Sequence, residues 1–415
     1  MAAVRNAVAF GLWGDEAARV VGGALLGLAL FLSAIGCDAG PVRFEPNWVF
    51  ARNQGLAETP TDFEAPDVRQ KLADIEQAVT MLFGTPDEPT LPACENLELG
   101  SLLDLALLRM AAGPHDQMPS GQTRGLYRAY CIRCHGVSGS GTGAMARDLN
   151  PYPRDFRRGI FKYKNTPDTN PPKDGDLLHV LERGVPGTAM RSFQELTGEQ
   201  RRALVQYVRY LSVRGLFERE LIAVTAVELA EEDRLLDVRL AEIDPETFAE
   251  QRAMLTSIAE GVMQPWFEAE KVTMDVPPPP PGYDAAEGIA RGRELYFTTL
   301  TNCAKCHGAT ALGDGQLEEY DEWSKELDPT NEQALRDYLQ LGALPPRHAQ
   351  PRNLYEAIYR GGDRPEDLFL KIKHGFAGTT MPSVASQLND TDAWYLVAYA
   401  RFLPSDPIGR SASHQ

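Results

Sequence analysis

Two short stretches of the chain each combine a pair of thiols with an imidazole: Cys131-Ile132-Arg133-Cys134-His135-Gly136 and Cys303-Ala304-Lys305-Cys306-His307-Gly308. Two thiols three positions apart on one helical turn can each add to a vinyl group of haem. The imidazole that follows is then held against the iron as its proximal ligand. A Cys-x-x-Cys pair also serves as a zinc half-site or a redox dithiol. A structural zinc site needs two further Cys or His ligands, and the only other cysteines, Cys37 and Cys94, cannot complete two such sites. A thioredoxin-like dithiol needs a βαβ context, which the pattern lacks. Two motifs in repeated sequence therefore predict two covalently bound haem c groups, one on Cys131, Cys134 and His135, the other on Cys303, Cys306 and His307. Cys94 is left as a buried small residue or a stray thiol.

The sixth iron ligand follows by elimination. From residue 282 onward there is a single methionine, Met381, and the spare histidines in that copy, 282–405, are His348 and His374. The first copy offers Met145, His179 and Met190. His179 aligns with Leu370 and His374 with Arg183, so a histidine ligand would have to differ between the copies. Met190 and Met381 superpose, each in a Gly-Thr-x-Met run. His/Met ligation at both irons is expected: His135 with Met190, and His307 with Met381. A thioether favours ferrous iron and raises the potential.

The elements that must position these groups also repeat. Arg124-Gly125-Leu126-Tyr127 answers to Arg291-Gly292-Arg293-Glu294-Leu295-Tyr296, Pro153-Arg154-Asp155-Phe156 to Pro351-Arg352-Asn353-Leu354, and Asp176-Leu177 to Asp367-Leu368. The copies close on Leu204-Val205-Gln206-Tyr207 and Leu396-Val397-Ala398-Tyr399, each in a short amphipathic helix. From motif His to Met the second copy is longer, 74 residues against 55, and the extra length includes an acidic stretch, residues 318–344, with Trp323. The expected fold is mainly α, with two helical domains at 119–215 and 282–405. Between them, 216–276 reads as an acidic helical connector, broken at Asp244-Pro245 and solvated as a hairpin. Residues 277–281 form a stiff polyproline spacer. Residues 37–118 carry helix-like stretches near 68–83 and 97–112 but no chemical motif, and 406–415 is a tail.

Both copies resemble class I cytochrome c domains: an N-terminal helix, Cys-x-x-Cys-His, a methionine loop and a C-terminal helix. The motifs cover somewhat over half the chain. The whole is similar to membrane-tethered di-haem cytochromes c that serve haem–copper oxidases and related respiratory complexes. The resemblance implies electron transfer in a respiratory chain, with redox partner proteins such as a haem–copper oxidase or a quinol-oxidising complex. It also puts Arg154 and Arg352 where that family approaches the haem propionates; a surface arginine in a turn is the competing reading. With both irons closed by methionine, an electron carrier and not an enzyme is expected. A di-haem peroxidase, or a fixed relay subunit of a membrane complex, are the alternatives.

Composition limits the setting. The chain has 415 residues and a formal net charge of −17, which argues against nucleic-acid binding. Residues 20–36 form the one apolar run near spanning length. Residues 1–36 read as an export signal or membrane anchor. The Ala34-Ile35-Gly36-Cys37 ending resembles a lipoprotein signal, which implies lipid attachment at Cys37. An uncleaved anchor is the competing reading, and both place the protein on the periplasmic face of a bacterial cytoplasmic membrane. Residues 121–215 carry net +8 and residues 216–281 net −10. Arg133, Lys162, Lys164 and Arg191 are expected to form a positive rim at the first haem that steers an acidic partner, unless 216–281 folds back and neutralises it.

Overall fold

The computed structural model describes residues 42–94, 96–230 and 233–406, so the export segment and Cys37 lie outside the described residues. The principal helices are α1 (Trp48–Asn53), α2 (Pro66–Phe83), α3 (Leu105–Ala111), α4 (Leu126–Tyr130), α5 (Ile132–His135), α6 (Asp174–Arg183), α7 (Gly198–Val227), α8 (Pro245–Ala269), α9 (Ala286–Tyr296), α10 (Cys303–His307), α11 (Glu332–Gln340), α12 (Pro365–His374) and α13 (Asp390–Phe402). Among the described residues there is no strand, only isolated bridges. No helix among them is long and apolar enough to cross a membrane. The fold is mainly α, as its sequence implies. Starts are set by local chemistry: Pro66 and Pro245 occupy first-turn positions, Asp104 caps the α3 amides, and Thr197 and Gln200 form a capping box on α7.

Helix α7 departs from the expected boundary at residue 215. It runs unbroken for 30 residues and carries the first copy's closing helix into the connector. Leu204, Val205, Tyr207, Tyr210, Leu211 and Val213 are all buried, so the helix is enclosed on every side. Residues 43–118 supply one wall. The Tyr210 hydroxyl donates to the Phe83 carbonyl at 2.5 Å, the Tyr207 hydroxyl to that of Pro86 at 3.3 Å, and Arg209 Nη1 to that of Leu102 at 3.0 Å.

The connector supplies another wall and is not a solvated hairpin. Leu255, Ala259, Met263 and Trp266 of α8 join the same core as Phe83 and Tyr210. Buried Arg209 bridges Asp174 at 2.7 Å and Glu270 at 2.5 Å, tying the acidic segment back onto the basic domain. The positive charge of residues 121–215 is thus partly neutralised inside the molecule.

The second copy has its own core, Leu295, Tyr296, Phe369, Trp394, Val397 and Tyr399 among others, built where α9 crosses α13. The chain entering the proline run is tied to both halves. Met274 N–H donates to the Asn165 carbonyl at 3.0 Å, and Trp394 Nε1 to that of Pro277 at 3.1 Å. The acidic insertion of the second copy reaches over the first half. Arg52 pairs with Asp337 at 3.1 Å and lies over the Tyr338 ring, while Arg158 pairs with Glu326 at 2.5 Å.

Candidate functional site

In each copy the Cys-x-x-Cys-His residues form one short helical turn, α5 or α10, ended by a glycine in the left-handed region: Gly136 at φ 73° and Gly308 at φ 83°. The carbonyl of that glycine accepts from a buried tyrosine hydroxyl, Tyr127 at 2.9 Å in the first copy and Tyr296 at 2.7 Å in the second. The histidine that follows the thiols is oriented by the repeated proline-arginine segment. His135 Nδ1 lies 3.1 Å from the Arg154 carbonyl, and His307 Nδ1 lies 3.0 Å from that of Arg352. A carbonyl only accepts, so Nδ1 carries the proton and Nε2 keeps its lone pair for a metal. Burial lowers the His135 imidazolium to about 4 and lowers that of His307 as well, which keeps both rings neutral. His135 also stacks on Phe156, with ring centroids 4.5 Å apart.

The methionine loops repeat each other bond for bond. Val185 N–H donates to the Met190 carbonyl at 2.8 Å, as Phe376 N–H does to that of Met381 at 3.2 Å. The Thr188 and Thr379 side chains each accept from the methionine N–H, at 3.1 and 3.2 Å, and donate to the Val185 and Phe376 carbonyls. Each loop starts from a glycine, Gly184 or Gly375, that turns back on its own methionine carbonyl. A Cβ on either would come within 2.6 or 2.5 Å of that oxygen. The histidine candidates have no such correspondence: His179 lies in mid-helix on α6, and His374 is the last residue of α12.

Do these residues fit a haem c? Two observations bear on it. Among the described residues no group of three or more His, Cys, Asp and Glu could hold a metal ion, so neither thiol pair completes a zinc site. Cationic donors also gather on the segments that orient the two histidines. Buried Nε of Arg352 and buried Nε of Arg360 have no hydrogen-bond partner, and Arg352 Nη2 has only the Glu356 carboxylate, at 3.6 Å. Burial, with Arg158 beside it, lowers the Arg154 guanidinium to about 10. Burial, with Arg154 and Arg360 nearby, lowers the Lys162 ammonium to about 7. Such a cluster calls for anions, and the propionates of a haem held by each histidine would supply them. Lys162 is half-buried, and Lys164 is buried and donates to the Pro167 and Asn170 carbonyls. The expected external rim keeps only Arg133 and Arg191 as exposed charges.

The signal for this cluster was in the sequence. A constant offset between the Pro153-Arg154 and Pro351-Arg352 segments also pairs Ile160 with Ile358 and Lys162 with Arg360. Cys94 stays apart from both sites, and burial raises its thiol to about 11.

Residues 122–212 match the family model described as cytochrome c, and residues 287–399 match the one described as cytochrome c oxidase, cbb3-type, subunit III. No curated protein matches the chain. A solved structure of the reducing HAO-like protein complex of Kuenenia stuttgartiensis is 25% identical, with the match covering 70% of this chain and 98% of that one at a TM-score of 0.46. Set against that HAO-like complex, the expectation of a carrier and not an enzyme does not stand. The two domains imply covalently bound haem c and electron transfer by haem. Two cytochrome c family domains in one chain, each built around its own Cys-x-x-Cys-His turn, make this protein a di-haem c-type cytochrome.

Proposed function

We propose that the protein relays electrons in a respiratory chain through two haem c groups. The first would be attached at Cys131 and Cys134 and held by His135 and Met190. The second would be attached at Cys303 and Cys306 and held by His307 and Met381. The observation that carries this reading is the pairing of one neutral, carbonyl-oriented histidine with one hydrogen-bonded methionine loop in each half. Haem iron so held supplies one-electron redox chemistry. The chain's own residues would fix the imidazole tautomer, present the thioether and meet the propionates with Arg154, Lys162 and Arg352.

The partner is a membrane respiratory complex such as a haem–copper oxidase or a quinol-oxidising complex. The match of residues 287–399 to a subunit of an oxidase supports that class. The protein works on the periplasmic face, held through lipid on Cys37 or through residues 20–36. Release from membranes on Cys37→Ser, with the signal still cleaved, would separate the first mode from the second.

Pyridine haemochrome quantitation after denaturation and acid–acetone extraction tests the assignment. Haem that survives extraction at two per chain is expected, and loss of all haem would defeat it. Met190→Ala and Met381→Ala should each lower one midpoint potential and weaken the far-red band of ferric methionine-ligated haem. His179→Ala and His374→Ala should leave that band intact.

A further inference from the structure

We propose that each half of the molecule positions the methionine loop of the other: Ile358 and Arg360 hold the Met190 loop, while Ile160 and Tyr163 hold the Met381 loop. This inference rests on the reading of Met190 and Met381 as sixth ligands.

The hydrogen bonds within each loop fix its shape but do not fasten its tip. The tips are Gly187 and Gly378, with φ of 67° and 63°, conformations that glycine adopts without strain. Both tips abut the opposite half. The Gly187 carbonyl accepts from Arg360 Nη2 at 3.1 Å. A Cβ on Gly187 would sit 3.0 Å from Ile358 Cγ2 and 3.2 Å from Arg352 Nη2. A Cβ on Gly378 would sit 2.8 Å from Ile160 Cγ2 and 3.6 Å from Arg154 Nη1. Ile160 and Ile358 occupy the same repeat position, so the arrangement is reciprocal and not a single chance contact.

Further contacts close the same seam. Tyr163 packs edge-on against Phe376, whose N–H bonds the Met381 carbonyl, with ring centroids 6.0 Å apart. The Tyr163 ring also fills the space where Gly361 lacks a side chain. The helices that lead into the loops are tied across the seam, Arg183 to Asp363 at 3.2 Å and Lys371 Nζ to the Lys164 carbonyl at 3.1 Å. A thioether is a weak ligand that leaves ferric iron when its loop swings out. Here the swing is opposed by side chains of the other domain, which act as a supporting shell for the ligand. Ile160, Tyr163, Ile358 and Arg360 are positioning residues, since they act through the loop.

The test is made on the intact holoprotein. Ferrous methionine-ligated haems give upfield-shifted Met methyl proton resonances, which Met190→Ala and Met381→Ala assign one by one. Ile358→Ala and Arg360→Ala should shift or broaden the Met190 signal. They should also tighten imidazole binding at the first ferric haem by about tenfold, the Met381 signal being unmoved. Ile160→Ala and Tyr163→Ala should do the converse. Ile358→Val should restore most of the parent behaviour, which separates positioning from failure to fold. Effects confined to the mutated half, or none in either, would overturn the proposal. A parent protein without two Met signals would instead defeat the axial reading on which the proposal rests.

Discussion

The two cytochrome c domains share their local chemistry and differ in nearly everything that supports it. In the second, an N-terminal helix of 11 residues crosses the closing helix α13, with Gly292 set against the Tyr395 carbonyl, and the core belongs to that domain alone. In the first, the corresponding helix α4 has five residues. The closing helix is covered instead by α3 of residues 43–118 and by α8 of the connector. The turn that carries the thiols and histidine, the carbonyl that orients the imidazole and the methionine loop keep their bonds in both settings. The haem-binding constellation therefore depends on a few short-range bonds, and the helices that shield it are interchangeable as long as apolar area is buried.

Four experiments would break or sharpen that contrast. The largest effect should come from removing one attachment pair. Cys131→Ala with Cys134→Ala should leave one covalent haem and open residues 43–118 and the connector to protease. Cys303→Ala with Cys306→Ala should leave one haem and spare them. Next, Trp266→Ala should cost about 3–5 kcal/mol, read by denaturation as earlier loss of the native absorption spectrum of the first haem. Trp394→Ala should do so at the second. An equal response of both haems to either change would mean that the two cores unfold as one.

A smaller effect concerns Lys162. Burial, with Arg154 and Arg360 beside it, lowers its ammonium to about 7, and a propionate that it meets would move it back up, so its proton would be lost above the neutral range. The protonated form favours ferrous iron, so the potential of the nearer haem should fall as pH rises above about 7. Lys162→Met should lower the potential at acid pH and flatten this dependence, as followed by spectroelectrochemical titration. The smallest effect should come from the exposed charges. Arg133→Glu and Arg191→Glu should slow reaction with an acidic partner at low salt, and the difference should vanish above ~0.15 M ionic strength, where screening acts within about 8 Å.

The Cys-x-x-Cys-His turns and the Gly-Thr-x-Met loops are legible in the sequence because covalent attachment and ligation impose fixed short spacings. The repeat is legible for the same reason. The boundary at 215 is not, since a helix gives no signal where one structural role ends and another begins. A sign of it exists in residues 203–213, where only Gln206, Arg209 and Ser212 interrupt the apolar side chains, a wider apolar face than one neighbouring helix would cover. Lys162 is marked in the sequence only by the offset that pairs it with Arg360, and the role of Lys164 is illegible, because charge counts do not say which way a domain faces. Only the packing of Ile160 and Tyr163 against the second half turns that surface inward.

The proline run has a consequence for how the two centres exchange charge. A free linker would make each domain search for the other by diffusion, at an effective concentration set by linker length. Here the chain is fastened at Met274 on one side and Pro277 on the other, and polyproline has little conformational freedom to lose on docking. No search step remains. Exchange between two haems so held would be governed by the fixed gap between them, indifferent to solvent viscosity, and only an encounter with an outside partner would stay diffusive.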